Sequence, residues 1–313
     1  MTVVIQVVLL VIGFVFLVKG ADWFVEGASK VAEKFGIPQL VIGLTIVAMG
    51  TSLPEAAVSV SAALKGSADI TIGNIVGSNI LNILIILGLT SVIRPVAVQK
   101  STIKYEIPFV ALISVLLLGI GYTDQVVGRM DGVILWALFI AYLLYLLKMT
   151  KSGEAVLEEL PEEDKDMPVW KMLLLIAGGA AAIVIGSDLA VDAATELARI
   201  FGMSERLIGL TIVALGTSLP ELVTSVTAAI RGKADIAVGN IVGSNIFNIL
   251  FVIGTSALIT PVVYAPNFLV DSIVCIGAAV LLWLCVVRGR RLGRGGGVVM
   301  LLCYAGYFAY LMR

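Results

Sequence analysis

Histidine is absent from this chain of 313 residues, and charge is scarce, with Asp, Glu, Lys and Arg together making up 14%. Without imidazole there is no histidine metal site, no histidine base and no side chain whose ordinary titration falls near neutrality. A net charge of −1 leaves no basic footprint for nucleic acid. Only three cysteines occur, Cys275, Cys285 and Cys303. They lack metal-type spacing, and their apolar surroundings predict small buried hydrophobes. No basic stretch precedes the first apolar run, so that run is expected to remain as a helix rather than be removed as a signal. Hydrophobic residues fill the space instead, at 59% with a mean hydropathy of +1.07. A soluble domain carries about 45–50% apolar and about 25% charged residues. The composition is that of an integral membrane protein, and long apolar runs favour helices over a barrel of alternating strands.

Ten apolar runs are separated by charged or Pro/Gly-bearing breaks, at about 3–29, 39–65, 70–93, 104–121, 131–148, 169–198, 205–231, 236–259, 268–287 and 297–312. The expected class is an all-α membrane protein with ten transmembrane helices. The polar, acidic stretch 149–168 reads as a linker between 1–148 and 169–313. Most of the Lys and Arg residues, including Lys30, Arg94, Lys148, Arg231 and Arg288, fall in odd-numbered loops. By the positive-inside rule both termini then face outside and the linker faces the cytoplasm, in a multi-pass protein of the cell (inner) membrane.

The two halves repeat. TIVAMGTSLPE, from Thr45 to Glu55, returns as TIVALGTSLPE from Thr211 to Glu221, and GNIVGSNI from Gly73 to Ile80 returns unchanged from Gly239 to Ile246. Asn82 matches Asn248 and Pro95 matches Pro261; Asp22 and Glu26 match Asp188 and Asp192 in the same register. Each half holds five runs, an odd number, so the copies are expected to lie upside down relative to each other. Inverted repeats with interrupted helices, here the second and seventh, point to a binding site at the membrane midplane.

Proline within a helix removes one hydrogen bond and displaces the carbonyl four residues back, here those of Gly50 and Gly216. Freed carbonyls in a bilayer persist only where they line protein or a wet cavity, and a hard cation would satisfy them. Residues three and four apart share a helix face. Ala48, Thr51, Ser52 and Glu55 align, as do Ala214, Thr217, Ser218 and Glu221; Asn74, Ser78 and Asn82 form a stripe repeated by Asn240, Ser244 and Asn248. Converged, these stripes supply carboxylate, hydroxyl, amide and carbonyl oxygen, a set that suits calcium and not the softer transition metals. Each buried acid costs about 2.5–3.5 kcal/mol on insertion scales, so two of them beside prolines call for a return. Ser, Thr and Asn between glycines also serve as packing contacts in membranes, and that reading stands beside the ligand reading for Asn74 and Asn240. Asp22, Glu26, Asp188 and Asp192 read either as solvated helix ends or as ion-entry groups.

At these residues the chain resembles a known family. GTSLPE with GNIVGSNILN, and their second copies, resemble the two alpha repeats of the cation/calcium exchanger superfamily, in a compact form similar to a prokaryotic sodium/calcium exchanger. The resemblance spans nearly the whole chain and implies an antiporter with alternating access that carries Ca2+ and Na+ as bound cargo, with no cofactor. It implies Glu55 and Glu221 as central carboxylates and Asn82 and Asn248 as completing the centre. Thr51, Ser52, Ser78, Thr217, Ser218 and Ser244 would contribute hydroxyl or backbone oxygen, and Ala48 and Ala214 carbonyls. The first and sixth helices would slide together. Some relatives, potassium-dependent ones among them, carry an acid where this chain has Asn248, which argues against a potassium requirement. The partners expected are the two ions and the lipid bilayer, with no obligate protein partner evident.

Three other readings compete. Proton/calcium antiport would use the same glutamates, and spacing alone allows either coupling ion. A channel could also use midplane oxygens, though an inverted repeat disfavours it. An intramembrane enzyme with Ser52 or Ser218 as nucleophile would need a lysine base, and none lies deep in the core runs.

Overall fold

The computed structural model describes residues 3–65, 69–152, 167–202, 214–266 and 268–312. Helix dominates. The first helix, α1, covers Val3–Phe35; α2 (Gln39–Thr51) and α3 (Leu53–Leu64) follow, bent by 51° at Ser52. Next comes α4, which runs through Asp69–Leu81, a wider π-helical turn at Asn82–Leu87, and Gly88–Ile93. Two further helices complete the first half, α5 (Thr102–Asp124) and α6 (Arg129–Ser152). The second half holds α7 (Val169–Ile200), α8 (Ala214–Gly216), α9 (Leu219–Ile230), α10 (Ala234–Ile259), α11 (Phe268–Val286) and α12 (Arg294–Leu311). A π-helical turn again opens at the matching asparagine, over Asn248–Ile253 within α10.

Among the described residues seven helices are long and apolar enough to cross a bilayer alone, and the bent pair α2–α3 makes an eighth if counted as one span. Most are buried on one side only and turn the other toward lipid. Two are not: the apolar windows of α4 and α10 are 78% and 94% buried. These two are the centre of the molecule, and both carry the amide and hydroxyl stripe.

Lipid gives helices no hydrophobic reason to associate, so close packing falls to small residues. Along α1 and α7 the backbones nearly touch. A Cβ at Gly20 would lie 2.9 Å from the carbonyl of Gly179, and one at Gly13 would lie 2.9 Å from that of Gly186. Gly13 meets Ala190 while Gly27 meets Ile176, so the two helices run antiparallel. The other helices pack in matching pairs: α4 against α12 at Gly88 and Gly297, α10 against α6 at Gly254 and Gly132.

Short strands tie the ends together. The strand β1 (Val96–Ala97), after α4, pairs with β4 (Arg291–Leu292), between α11 and α12. The strand β2 (Val126–Val127), between α5 and α6, pairs with β3 (Val262–Val263), after α10. Each half thus lends one strand of each kind to the other. Arg94 hooks the carbonyl of Ile230, and its counterpart Thr260 hooks that of Ala63 at 3.1 Å.

The expected burial of the cysteines holds for Cys275 alone. Cys285 is half-buried and Cys303 is exposed, because α12 presents that face outward. Most of the acidic stretch 149–168, and Thr211 to Val213 of the second repeat, lie outside the described residues.

Candidate cation site

The proline does not kink a continuous helix; it starts a new one. Ser52 (φ −85°, ψ 9°) and Ser218 (φ −93°, ψ 3°) leave helical geometry, and Pro54 and Pro220 sit in the first turns of α3 and α9. There a missing N–H costs nothing, since the first turn has no intrahelical acceptor for it. Glu55 and Glu221 fall in the same first turns, where the positive end of the helix dipole favours an acid. The breaks therefore do two things at once: they reset the chain's direction and place a carboxylate at a helix N-terminus inside the bundle.

Both carboxylates are fully buried, at 0% exposure. Each is held from the other half. Ser52 donates to Oε1 of Glu221 at 2.7 Å, and Ser218 donates to Oε1 of Glu55 at 3.3 Å. Asn74 donates to Ser59 Oγ at 2.9 Å and to the carbonyl of Glu55 at 3.3 Å; Asn240 does the same to Ser225 Oγ at 2.9 Å and the carbonyl of Glu221 at 3.4 Å. Through these bonds Asn74 and Asn240 brace the first turns of α3 and α9.

Among the buried side-chain oxygens left without a partner, four belong to the expected ligand residues. Oε2 of Glu55, Oε2 of Glu221, Oδ1 of Asn82 and Oδ1 of Asn248 are all buried with no hydrogen-bond partner. An unpaired buried acceptor costs about 1–3 kcal/mol, more when charged. Each of these acceptors is matched by its counterpart in the other repeat, and two of the four belong to carboxylates.

Around them Thr51, Ser52, Ser78, Ser218 and Ser244 are buried and Thr217 is half-buried. Thr51 donates toward Asn240 Oδ1 at 3.0 Å, and both it and Ser244 also neighbour the Glu221 carboxylate, as Thr217 does that of Glu55. The carbonyl of Ala48 receives Ser244 Oγ at 3.3 Å and the backbone N–H of Ser52 at 3.1 Å. Ala214 opens α8. One expectation needs correcting. The carbonyl that proline frees at Gly216 is not left for a cation, because Ser187 of α7 donates to it at 2.9 Å. The position matching Ser187 in the first half is Ala21, so that hook exists on one side only.

The four acids on α1 and α7 are not part of this cluster. Asp22 and Glu26 meet Arg231, at 2.9 Å and 3.7 Å, and Asp188 and Asp192 are exposed. Two features escaped the sequence reading. Asn79 and Asn245, fully buried, hold the amides of Asn82 and Asn248. The π-helical turns begin at those same two asparagines, and such turns recur at functional sites. Asn79 and Asn245 were visible inside the repeated GNIVGSNI, one step off the stripe that four-residue spacing selects.

The chain is similar to several named proteins. The family model described as sodium/calcium exchanger protein matches residues 5–148 and 171–313. The inner membrane protein YrbG of Escherichia coli is 41% identical, with 93% of this chain and 92% of that one covered. The sodium/calcium exchanger MaX1 of Methanosarcina acetivorans is 31% identical over 99% of both. A solved structure of the sodium-calcium exchanger NCX_Mj, soaked with Na+ and Sr2+, superposes with a TM-score of 0.84 at 34% identity, covering 98% of this chain and 99% of that one.

Proposed function

From the premise that this chain belongs to the sodium/calcium exchanger family and is a cation/calcium antiporter of the membrane, we propose that it couples Na+ entry to Ca2+ movement in the opposite direction at one midplane site. Glu55 and Glu221 are the carboxylates the two ions compete for. Asn82 and Asn248 add neutral carbonyl oxygen. Thr51, Ser52, Ser78, Thr217, Ser218 and Ser244 supply hydroxyls, and Ala48 and Ala214 backbone carbonyls. The observation that carries this reading is the set of four buried, unpartnered oxygens. Their formal charge of −2 matches one divalent ion or a pair of monovalent ones, which is what competition requires. Oxygen donors alone suit hard cations. Sodium as the coupling ion is supported by the relatives named for it.

The proposal extends to the architecture. Ten spans follow if α8–α9 and α12 each complete a crossing, giving two five-helix halves, 1–148 and 169–313, joined by 149–168. Their inversion is supported by the antiparallel contact of α1 with α7 and by the exchanged strand pairs. The Lys and Arg bias supports termini outside and the linker in the cytoplasm.

Calcium-45 uptake into proteoliposomes preloaded with sodium, with potassium or with a pH step tests the coupling. Uptake driven by the outward sodium gradient alone is the expected result. Uptake driven by the pH step alone would keep the site and make the protein a proton/calcium antiporter. Uptake indifferent to every gradient would sink exchange at this site.

A further inference from the structure

Four asparagines form a closed relay across the centre of the molecule, and its geometry dictates which atoms face the site. Asn79 Nδ2 donates to the backbone carbonyl of Asn245 at 3.2 Å, and Asn245 Nδ2 donates to that of Asn79 at 3.3 Å. Asn82 Nδ2 donates to Asn245 Oδ1 at 3.0 Å, and Asn248 Nδ2 donates to Asn79 Oδ1 at 3.2 Å. All four are at most 1% exposed.

The two ends of an amide have nearly the same shape, so only the partners decide which end points where. A backbone carbonyl carries no proton and can only accept. Asn79 must therefore turn its NH2 to the Asn245 carbonyl, and Asn245 must do the reverse. The end each has left is oxygen, which again can only accept. Asn82 and Asn248 must meet it with NH2. What remains of those two amides is oxygen, and these are the two amide oxygens found without a partner. Two backbone carbonyls thus fix, through two amides each, that the end Asn82 and Asn248 leave free is oxygen and not N–H.

We propose that Asn79 and Asn245 are positioning residues for ion exchange, setting the polarity of the Asn82 and Asn248 amides toward the cation; this rests on the reading of those two as ligands. A flipped amide would put N–H dipoles where the ion sits and turn attraction into repulsion. The relay prevents the flip without adding charge, so the site keeps the −2 of its two glutamates. Because every link joins α4 to α10, the orientation belongs to the interface between the halves and to neither half alone.

The relay also predicts which exchanges of side chain fit together. An aspartate at 248 has no NH2 for Asn79 Oδ1, so two acceptors would face each other. Removing the Asn79 side chain would relieve that conflict. The experiment is a double-mutant cycle with Asn79→Ala and Asn248→Asp, read by calorimetric calcium binding to the purified full chain in detergent and by sodium/calcium selectivity. Asn79→Ala should weaken calcium binding about tenfold; Asn248→Asp should also weaken it in the wild-type background and strengthen it in the Asn79→Ala background. Additive effects, or Asn79→Ala binding calcium as wild type does, would overturn the proposal, because a purely packing asparagine predicts lost stability with no change of sign. The matching cycle of Asn245→Ala with Asn82→Asp carries the test if Asn79→Ala does not fold. Asn82→Ala and Asn248→Ala separate the premises: unchanged calcium binding in both would show that the ligand reading had failed first, and would take the positioning role with it.

Discussion

Ser52 and Glu221 stand in different halves of the chain, yet the serine hydroxyl donates to the glutamate's Oε1 at 2.7 Å. Ser218 returns the arrangement to Glu55. Each carboxylate is thus oriented by the broken helix of the opposite repeat, and each keeps one oxygen free. The halves cannot separate at this level without loosening both acids, which couples the site's shape to the packing of the whole bundle.

Neutralising either acid separates binding from folding. Glu55→Gln or Glu221→Gln keeps the side-chain volume and removes one of two buried like charges. Transport should be lost, while the melting temperature in calcium-free detergent should hold or rise. Ligand binding stabilises wild type by about 2.7 kcal/mol at a concentration a hundredfold above Kd, and both variants should lose that calcium-dependent gain. A fluorescence melting curve with and without calcium checks this. A variant that still gains stability from calcium would remove its glutamate from the site.

Gly243 sets how closely α2 approaches α10. A Cβ at Gly243 would lie 2.7 Å from the carbonyl of Leu44 and 2.8 Å from the Ala48 side chain, forcing α2 away from α10 next to the Thr51–Asn240 bond. Overpacking costs about 1–3 kcal/mol, so Gly243→Ala should fall within that range in thermal unfolding and transport poorly. A variant that melts and transports as wild type does would mean that α2 gives way to the added methyl without cost.

Much of the candidate site's layout is legible in the sequence. Glu55, Glu221, Asn82 and Asn248 were marked by recurrence of charge, proline and amide in one register, and the breaks at Ser52 and Ser218 followed from proline chemistry. Other parts could not be read that way. The π-helical turns at Asn82 and Asn248 depend on how α4 and α10 pack, and regular spacing assumes they are absent. The Ser187 bond to Gly216 joins residues 29 positions apart with no motif to announce it. Asn79 and Asn245 stand inside the repeated motif, but their partners lie in the other half and no periodicity within one half points to them.

A cluster of charge holds the α9–α10 hairpin to α1. Arg231 reaches Asp22 and Glu26, and Lys233 lies 3.8 Å from Glu33. In the register of the repeat, Lys65 stands in place of Arg231 and Ser67 in place of Lys233, and Arg199 stands where α1 has Glu33. These groups are partly exposed, and single pairs of that kind contribute about 0–1 kcal/mol. Arg231→Gln should therefore lower stability by less than about 1 kcal/mol at low salt and by still less in 1 M salt, where screening falls to about 3 Å. The swap Asp22→Arg with Arg231→Asp should restore most of the difference. A salt-independent loss would assign Arg231's contribution to packing.

Ser187 offers the sharpest local test, because it satisfies a carbonyl that proline chemistry sets loose. Ser187 and Gly216 are both buried, so in Ser187→Ala the freed oxygen has neither hydroxyl nor bulk water. An unsatisfied buried acceptor costs about 1–3 kcal/mol, and the melting temperature of Ser187→Ala should drop accordingly. Ala21, at the matching place in the first half, is also buried, and Gly50 there packs on Phe24 instead. Ala21→Val should strain α1 through overpacking rather than through a lost bond. The two variants can be told apart by Ser187→Thr, which keeps the hydroxyl and should recover most of the loss. If Ser187→Ala melts like wild type, water or another donor reaches the Gly216 carbonyl, and the break at Ser218 is open enough for an ion to use it.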